Sequence, residues 1–259
     1  MGGFVSGPGG LVSAVLRIPL ILHEQNSVAG MTNRWLAKIS RHVMSGFPVA
    51  TGIKNPKWIG NPVRREILQI TEPEVRIRKH DDALRILVVG GSQGAGVFNE
   101  NLPRLLGKFT LGPLEVWHQC GKQGLGDIAE RYKERGIKNR VDVYIDDMAA
   151  AYEWCDLVVC RSGAMTVSEI CGAGVAAIFV PYPYAVNDHQ AGNAAYLVSE
   201  GAAHMVRQPD FIQGQWLEVL ERFYSSRESL TRMGRAARTL AKPSASVVLA
   251  ETCMEVMHA

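Results

Sequence analysis

Residues 156–172 read DLVVCRSGAMTVSEICG, and their reading decides the fold. Leu157-Val158-Val159-Cys160 is an apolar run of the length expected for a strand buried on both faces. Arg161-Ser162-Gly163 ends it. From Ala164 onward, Ala164, Val167 and Ile170 fall on one helical stripe, with Thr166 and Glu169 pointing elsewhere. A strand, a small-residue loop and a helix start make an anion site. The first N–H groups of a helix lack partners there, and its positive end aims out of the loop. Glu169 sits about a turn and a half further in and is ill suited to hold phosphate. It suits sugar hydroxyls, as the acidic residue of dinucleotide folds suits a ribose. Two readings stand: a nucleotide or nucleotide-sugar pocket, and a buried strand-to-helix turn carrying a solvated Glu.

Outward from this stretch the same alternation repeats. Leu84–Val89 predicts a strand, 90–96 a loop and 97–106 a helix. Leu114–Gln119 predicts the next strand, Ile128–Glu134 a helix and Val141–Tyr144 a strand. Asp146-Asp147 offers an N-cap to a helix over Met148–Trp154. Further on come a strand over Ala176–Pro181, a helix over Asn193–Ser199 and a short strand over Ala202–Val206. Helices fill about 211–240 and, past the break at Pro243, 247–257. Toward the N-terminus, residues 2–10 (GGFVSGPGG) read as a glycine-rich loop with no strand before it. A short helix over Leu11–Leu16, a strand over Ile18–His23, a helix over Gly30–Ile39 and a strand over His42–Ser45 follow, and 58–64 closes the region. Such alternation predicts the α/β class, with parallel sheets and right-handed crossovers. Residues 65–83 crowd Glu66, Glu72, Glu74, Arg76, Arg78, Lys79, His80, Asp81 and Asp82 into an aperiodic segment, a linker or helix plus linker.

The totals narrow the classes. The 259 residues are enough for one large or two medium domains. With 47% hydrophobic and 20% charged residues, the composition is that of an ordinary globular protein. A net charge of +3 gives no case for nucleic acid. Five cysteines, at 120, 155, 160, 171 and 253, show no CxxC and no zinc-ligand spacing, so reduced structural thiols are expected. No apolar run reaches the roughly 18–20 residues that span a bilayer.

GGSQGAG at 90–96 is a phosphate-loop candidate: glycines permit close approach, Ser92 can donate to an oxygen, and a helix start lies behind. A dinucleotide fingerprint would want an acidic residue at the end of the second strand, which here ends in Trp117-His118-Gln119. No GK[ST] follows, so it is not a Walker loop. A tight turn without ligand is the other reading. Two glycine loops plus Glu169 suit one nucleoside diphosphate, one loop for phosphate and the other for sugar. Gln190 offers a donor and an acceptor to a hexose hydroxyl pair, or is a surface residue at a helix start. His23, His118 and His189 are candidate bases. Asp146-Asp147 reads as caps before metal ligands.

Taken in order, GGFVSGPGG (2–10), LHEQNSVAG (22–30), IGNPVR (59–64), VVGGSQGA (88–95), IDDMAAAY (145–152), CRSGAMTVSE (160–169) and DHQAGNA (188–194) resemble the MurG family. These bacterial enzymes transfer N-acetylglucosamine from its UDP donor to undecaprenyl-diphospho-muramoyl-pentapeptide, lipid I to lipid II, in peptidoglycan synthesis. The resemblance implies a GT-B fold of two Rossmann-like domains, inversion at the anomeric carbon, and no metal or cofactor. It implies donor contacts at Asn26, Arg64 and Ser92 (diphosphate), at Ile145 (uracil, through the backbone) and at Ala164, Met165, Thr166, Val167, Ser168 and Glu169 (ribose, through Glu169). Gln190 falls on the hexose, with His189 able to share that role. It also implies peripheral attachment to the cytoplasmic face of the inner membrane.

The sequence departs from the family in having no GGTGGH-type loop, which there carries acceptor-diphosphate contacts and the proposed base. The catalytic base is therefore unknown, and the membrane-facing patch is expected in the same absent part. The expected layout is a remnant of the acceptor-side domain over 1–64, a linker over 65–83, a donor domain over 84–242 and a C-terminal helix over 243–259 packing back. Donor binding by this chain is expected and catalysis by it alone is not. The alternative is a donor-binding subunit, or fragment of a split transferase, that needs a partner chain.

Overall fold

The computed structural model describes residues 6–78, 83–91, 94–122 and 126–258. Its first unit runs α1 (Ser6–Val15), β1 (Ile21–Glu24), α2 (Met31–Leu36), β2 (His42–Ser45) and β3 (Lys57–Trp58), with the strands in one parallel sheet. Two short helices follow, α3 (Arg65–Leu68) and α4 (Pro73–Arg78). The second unit begins β4 (Leu84–Val89), α5 (Gly96–Leu106), β5 (Leu114–Gln119), α6 (Ile128–Lys133), β6 (Lys138–Asp142) and α7 (Met148–Trp154). It continues β7 (Leu157–Cys160), α8 (Ala164–Ala173), β8 (Ala176–Phe179), α9 (His189–Ser199) and β9 (His204–Met205). Helices α10 (Gln208–Gln213), α11 (Leu217–Ser225), α12 (Arg227–Thr239) and α13 (Ala245–Met257) end the chain.

The six strands β4 to β9 form one parallel sheet in the order β6-β5-β4-β7-β8-β9. Side chains alternate across it, as the two-residue period of a strand requires. Ile86 and Val88 of β4, with Leu157 and Val159 of β7, enter one core with Phe98, Tyr132 and Trp216. Leu87 and Val89, with Val158 and Cys160, enter the other with Tyr152, Val167 and Ile170. Strands β7 and β8 are continuous apolar runs because both faces are covered. Each fully buried Leu, Ile or Val contributes about 1.5–3 kcal/mol.

Three elements depart from expectation. Strand β6 lies at 138–142, earlier than 141–144, paired from Glu115↔Lys138 to Gln119↔Asp142. It is an edge strand with half-exposed side chains, so it carries no apolar run to mark it. The stretch Ser6–Gly10, read as a loop, is the start of α1. Its glycines serve close packing: a Cβ at Gly10 would run into the Leu36 side chain of α2. Helix α9 begins at His189, because Ala191 and Asn193 already face the interior.

Segment 65–78 is packed, not free. Ile67 is buried, and the Arg76 guanidinium is buried against the C-terminal end of α8. It donates to the carbonyls of Ala173 (3.1 Å) and Gly174 (2.8 Å). Arg238 of α12 donates to the Ala173 carbonyl at 3.5 Å and to that of Ile70 at 2.8 Å. Helix ends leave carbonyls without partners, and cations there complement the helix dipole. The five cysteines stand as free thiols. No helix among the described residues is long and apolar enough to cross a membrane.

Candidate functional site

In the six-stranded sheet the chain reverses direction between β4 and β7, with β5 and β6 on one side and β8 and β9 on the other. At such a point the loops leaving the two central strands part, and a crevice opens at their C-terminal ends. A cleft of about 500 Å³ lies there. Its walls include Gly90, Gly91 and Gly94–Val97 from the loop after β4, and Arg161, Gly163 and Thr166 after β7. Tyr182, Gln190 and Gln208 close the far side. Two helices start at the cleft, α5 at Gly96 and α8 at Ala164, and neither N-cap residue has a side-chain cap. Their first N–H groups and positive poles therefore remain available to an anion. Gly94 makes the approach possible: its φ is +74°, and a Cβ there would strike the Cys120 carbonyl. Ser92 lies outside the described residues.

Several of the residues expected from the resemblance gather around α8. Glu169 is not solvated; its side chain is 15% exposed and paired to Arg64 at 3.3 Å. Tyr152 Oη donates to its other oxygen at 3.1 Å. The Ile145, Ala164 and Val167 side chains are buried, so these residues can offer a ligand their backbone only. Met165 and Thr166 are half-buried at the helix start. Ser168 Oγ donates to the Ala164 carbonyl (2.9 Å) and accepts from Asn61 (3.0 Å). Gln190 Oε1 accepts from the Tyr182 N–H (2.9 Å), and its backbone carbonyl accepts from Ser162 Oγ (2.8 Å). Gln190 also lines the cleft.

Residues of the first unit meet this corner through asparagines. The buried Glu24 carboxylate accepts from Asn26 N (2.9 Å), Gly30 N (3.3 Å) and Asn33 Nδ2 (2.6 Å), which shapes the loop after β1. Asn193 of α9 donates to Asn26 Oδ1 (3.2 Å) and to the Ser162 carbonyl (3.1 Å). Its Oδ1 accepts from Ser27 N and Oγ, both at 2.9 Å. Asn61 donates to the Gln25 carbonyl (3.0 Å) and to Ser168. Thus Asn193 ties Asn26 to the loop after β7, and Arg64 of the first unit reaches Glu169 of α8.

Asn61, Asn193 and Arg161 were not singled out by spacing or chemistry. Arg161 donates to the carbonyls of Val180 (2.9 Å) and Pro181 (3.1 Å) and to Gln208 Oε1 (2.8 Å). Its guanidinium lies 5.2 Å from the Phe98 ring and 5.4 Å from that of Tyr182. Burial lowers its pKa, yet a guanidinium remains charged, so it is a fixed cation on the cleft wall. The only sequence signal was its place at the end of β7. Among the histidines, His118 is buried in the core against Tyr132 Oη (3.0 Å), and burial lowers its pKa to about 3. That makes it a structural residue. His23 is also buried, its Nε2 donating to the Gly60 carbonyl at 2.9 Å. His189 Nδ1 donates to the Val186 carbonyl at 2.8 Å. Asp147 caps α7, accepting from Ala150 N at 2.9 Å.

A doubly wound sheet with a crevice at its switch point, faced by a second parallel sheet, is the arrangement of the GT-B fold. The profile of the glycosyltransferase family 28 C-terminal domain matches residues 85–249, and that of the N-terminal domain matches residues 1–45. The UDP-N-acetylglucosamine–N-acetylmuramyl-(pentapeptide) pyrophosphoryl-undecaprenol N-acetylglucosamine transferase of Marinobacter nauticus is 46% identical over all of this chain and 72% of its own length. The enzyme of the same description from Halorhodospira halophila is 45% identical, with the same coverage. The crystal structure of Acinetobacter baumannii MurG superposes with a TM-score of 0.87 at 38% identity, over 98% of this chain and 72% of that one. A UDP-GlcNAc 2-epimerase from Neisseria meningitidis shares the fold alone, at a TM-score of 0.58 and 12% identity. The chain belongs to the MurG family, within glycosyltransferase family 28.

Proposed function

We propose that the protein transfers N-acetylglucosamine from UDP-GlcNAc to the lipid-linked muramoyl-pentapeptide, with inversion. The observation that carries this is the cleft between β4 and β7, lined by two uncapped helix starts and Arg161, with Glu169 further along α8. The diphosphate lies against the starts of α5 and α8. The uracil meets the backbone at Ile145, the ribose Glu169, and the hexose Gln190, Asn26 and the backbone of 164–166. Arg64 turns from Glu169 toward the donor. The acceptor hydroxyl attacks the anomeric carbon as the bond to the β-phosphate oxygen breaks. The helix starts stabilise the charge that develops on the departing UDP. None of the described residues is assigned as the base that takes the acceptor proton.

The membrane-facing patch is expected in the absent part, but the outer face of α1 and α2 supports attachment to a membrane surface through this chain as well. Leu11, Val12, Val15, Leu16, Met31 and Trp35 are exposed there. Lys38 lies 4.5 Å above the Trp35 ring, and Arg17 and Arg41 lie nearby in the chain. An apolar face rimmed by cations suits an anionic bilayer surface.

The donor site is tested by calorimetric titration with UDP-GlcNAc and UDP-galactose, for the wild type and Glu169→Ala. UDP-GlcNAc is expected to bind more tightly, and Glu169→Ala to weaken it about tenfold or more without unfolding, as loss of hydrogen bonds to a charged acceptor does. Unchanged affinity in the variant would remove Glu169 from the site.

A further inference from the structure

Glu169 is held from two sides. Arg64 approaches Oε1 from the more exposed side, and Tyr152 Oη donates to Oε2 from within the protein. Tyr152 comes from α7, the helix that follows the Ile145 loop. Its ring packs in the core with Val158, Val167 and Ile170, and the residue has no exposed surface. A phenylalanine would fill the same apolar space without a polar atom to satisfy, so the hydroxyl needs another reason to be there. Burial and the neighbouring carboxylate push the phenol well above its ordinary pKa, which keeps it a neutral donor. One donor occupies one of the roughly four acceptor positions of a carboxylate. The terminal torsion of a glutamate is otherwise broad, so a bond from a rigid buried ring fixes the plane of the remaining lone pairs. A vicinal diol needs two acceptor positions at a set spacing and direction, and a pinned carboxylate supplies them.

We propose that Tyr152 is the positioning residue that lets Glu169 read a vicinal diol, so that the site selects a ribonucleoside diphosphate over its 2′-deoxy counterpart. This rests on the assignment of Glu169 to the ribose. The full chain, as wild type, Tyr152→Phe, Glu169→Ala and the double variant, is titrated calorimetrically with UDP and with 2′-deoxy-UDP. The wild type is expected to favour UDP about tenfold, the size of one lost hydrogen bond to a charged group. Tyr152→Phe is expected to cut that ratio about fivefold by weakening UDP alone, and to add nothing in the Glu169→Ala background. The ratio is its own control, because both nucleotides meet the same protein and a general loss of stability leaves it unchanged. Tyr132→Phe removes another buried hydroxyl, the partner of His118, and is expected to leave the ratio alone. A ratio that survives Tyr152→Phe but collapses in Glu169→Ala overturns the proposal and keeps Glu169 on the ribose. A wild-type ratio near one, or a ratio unmoved by Glu169→Ala, overturns the ribose assignment and the proposal with it.

Discussion

Asn193 has no exposed surface, and its amide joins Ser27 and Asn26, in one loop of the first unit, to Ser162 in a loop of the second. A buried group left without its partner costs about 1–3 kcal/mol. Asn193→Ala orphans several at once and is expected to lower stability by about 2–3 kcal/mol, read from the urea midpoint. Asn193→Asp keeps the Ser27 bonds but sets a charge against two acceptor oxygens, and is expected to be no better. His118 gives a pH signature. Its pKa is near 3 when folded and about 6.5 when unfolded, so between these values only the unfolded chain binds the proton. Stability therefore falls as pH drops below about 6.5, by up to ~1.4 kcal/mol per unit from this residue. His23 and His204 are shifted the same way by burial. Urea midpoints between pH 7 and 5 are expected to decline less steeply in His118→Gln than in the wild type.

At the scale of elements, the loop after β4 depends on Gly94 more than on its other members described here. Alanine there must hold a positive φ, at about 1–2 kcal/mol, and also meets the Cys120 carbonyl. Gly94→Ala is expected to lower the melting temperature by several degrees and to weaken UDP binding about tenfold or more, because the loop can no longer approach a phosphate. Thermal melts and titration on the same sample separate the two effects. The central strands were legible in the sequence because burial on both faces leaves a run such as Leu157–Cys160 with no polar member. Strand β6 was not, because an edge strand reading KNRVD has a solvent side and no such run. Helix α1 was misread for another reason: the close approach of Gly7 and Gly10 to α2 is a tertiary contact that local sequence does not show. Glu169 could be picked out as a lone carboxylate beside an anion site. Asn61, Asn193 and Arg161 could not, since an amide or guanidinium acquires its role from the loops that the fold brings around it.

At the scale of the whole molecule, one outer face is apolar and rimmed by cations. Val15 is 82% exposed and Trp35 65%. Vesicles containing anionic lipid are expected to sediment the protein, with binding that weakens as salt rises. Val15→Glu and Trp35→Glu together are expected to reduce that binding about tenfold or more, while UDP affinity, read at the cleft, stays within about twofold. The cleft has its own long-range support. Helix α8 starts at the cleft and ends at the guanidinium groups of Arg76 and Arg238, about 15 Å away. A helix is normally a battery with two live terminals, and its negative one would weaken the attraction felt at the positive one. Here the negative terminal is earthed. The cleft faces an unopposed positive pole, maintained by residues at the far end of the helix. Arg76→Met is therefore expected to weaken UDP binding about twofold to fivefold from the far end of the helix, and low salt to enlarge the loss.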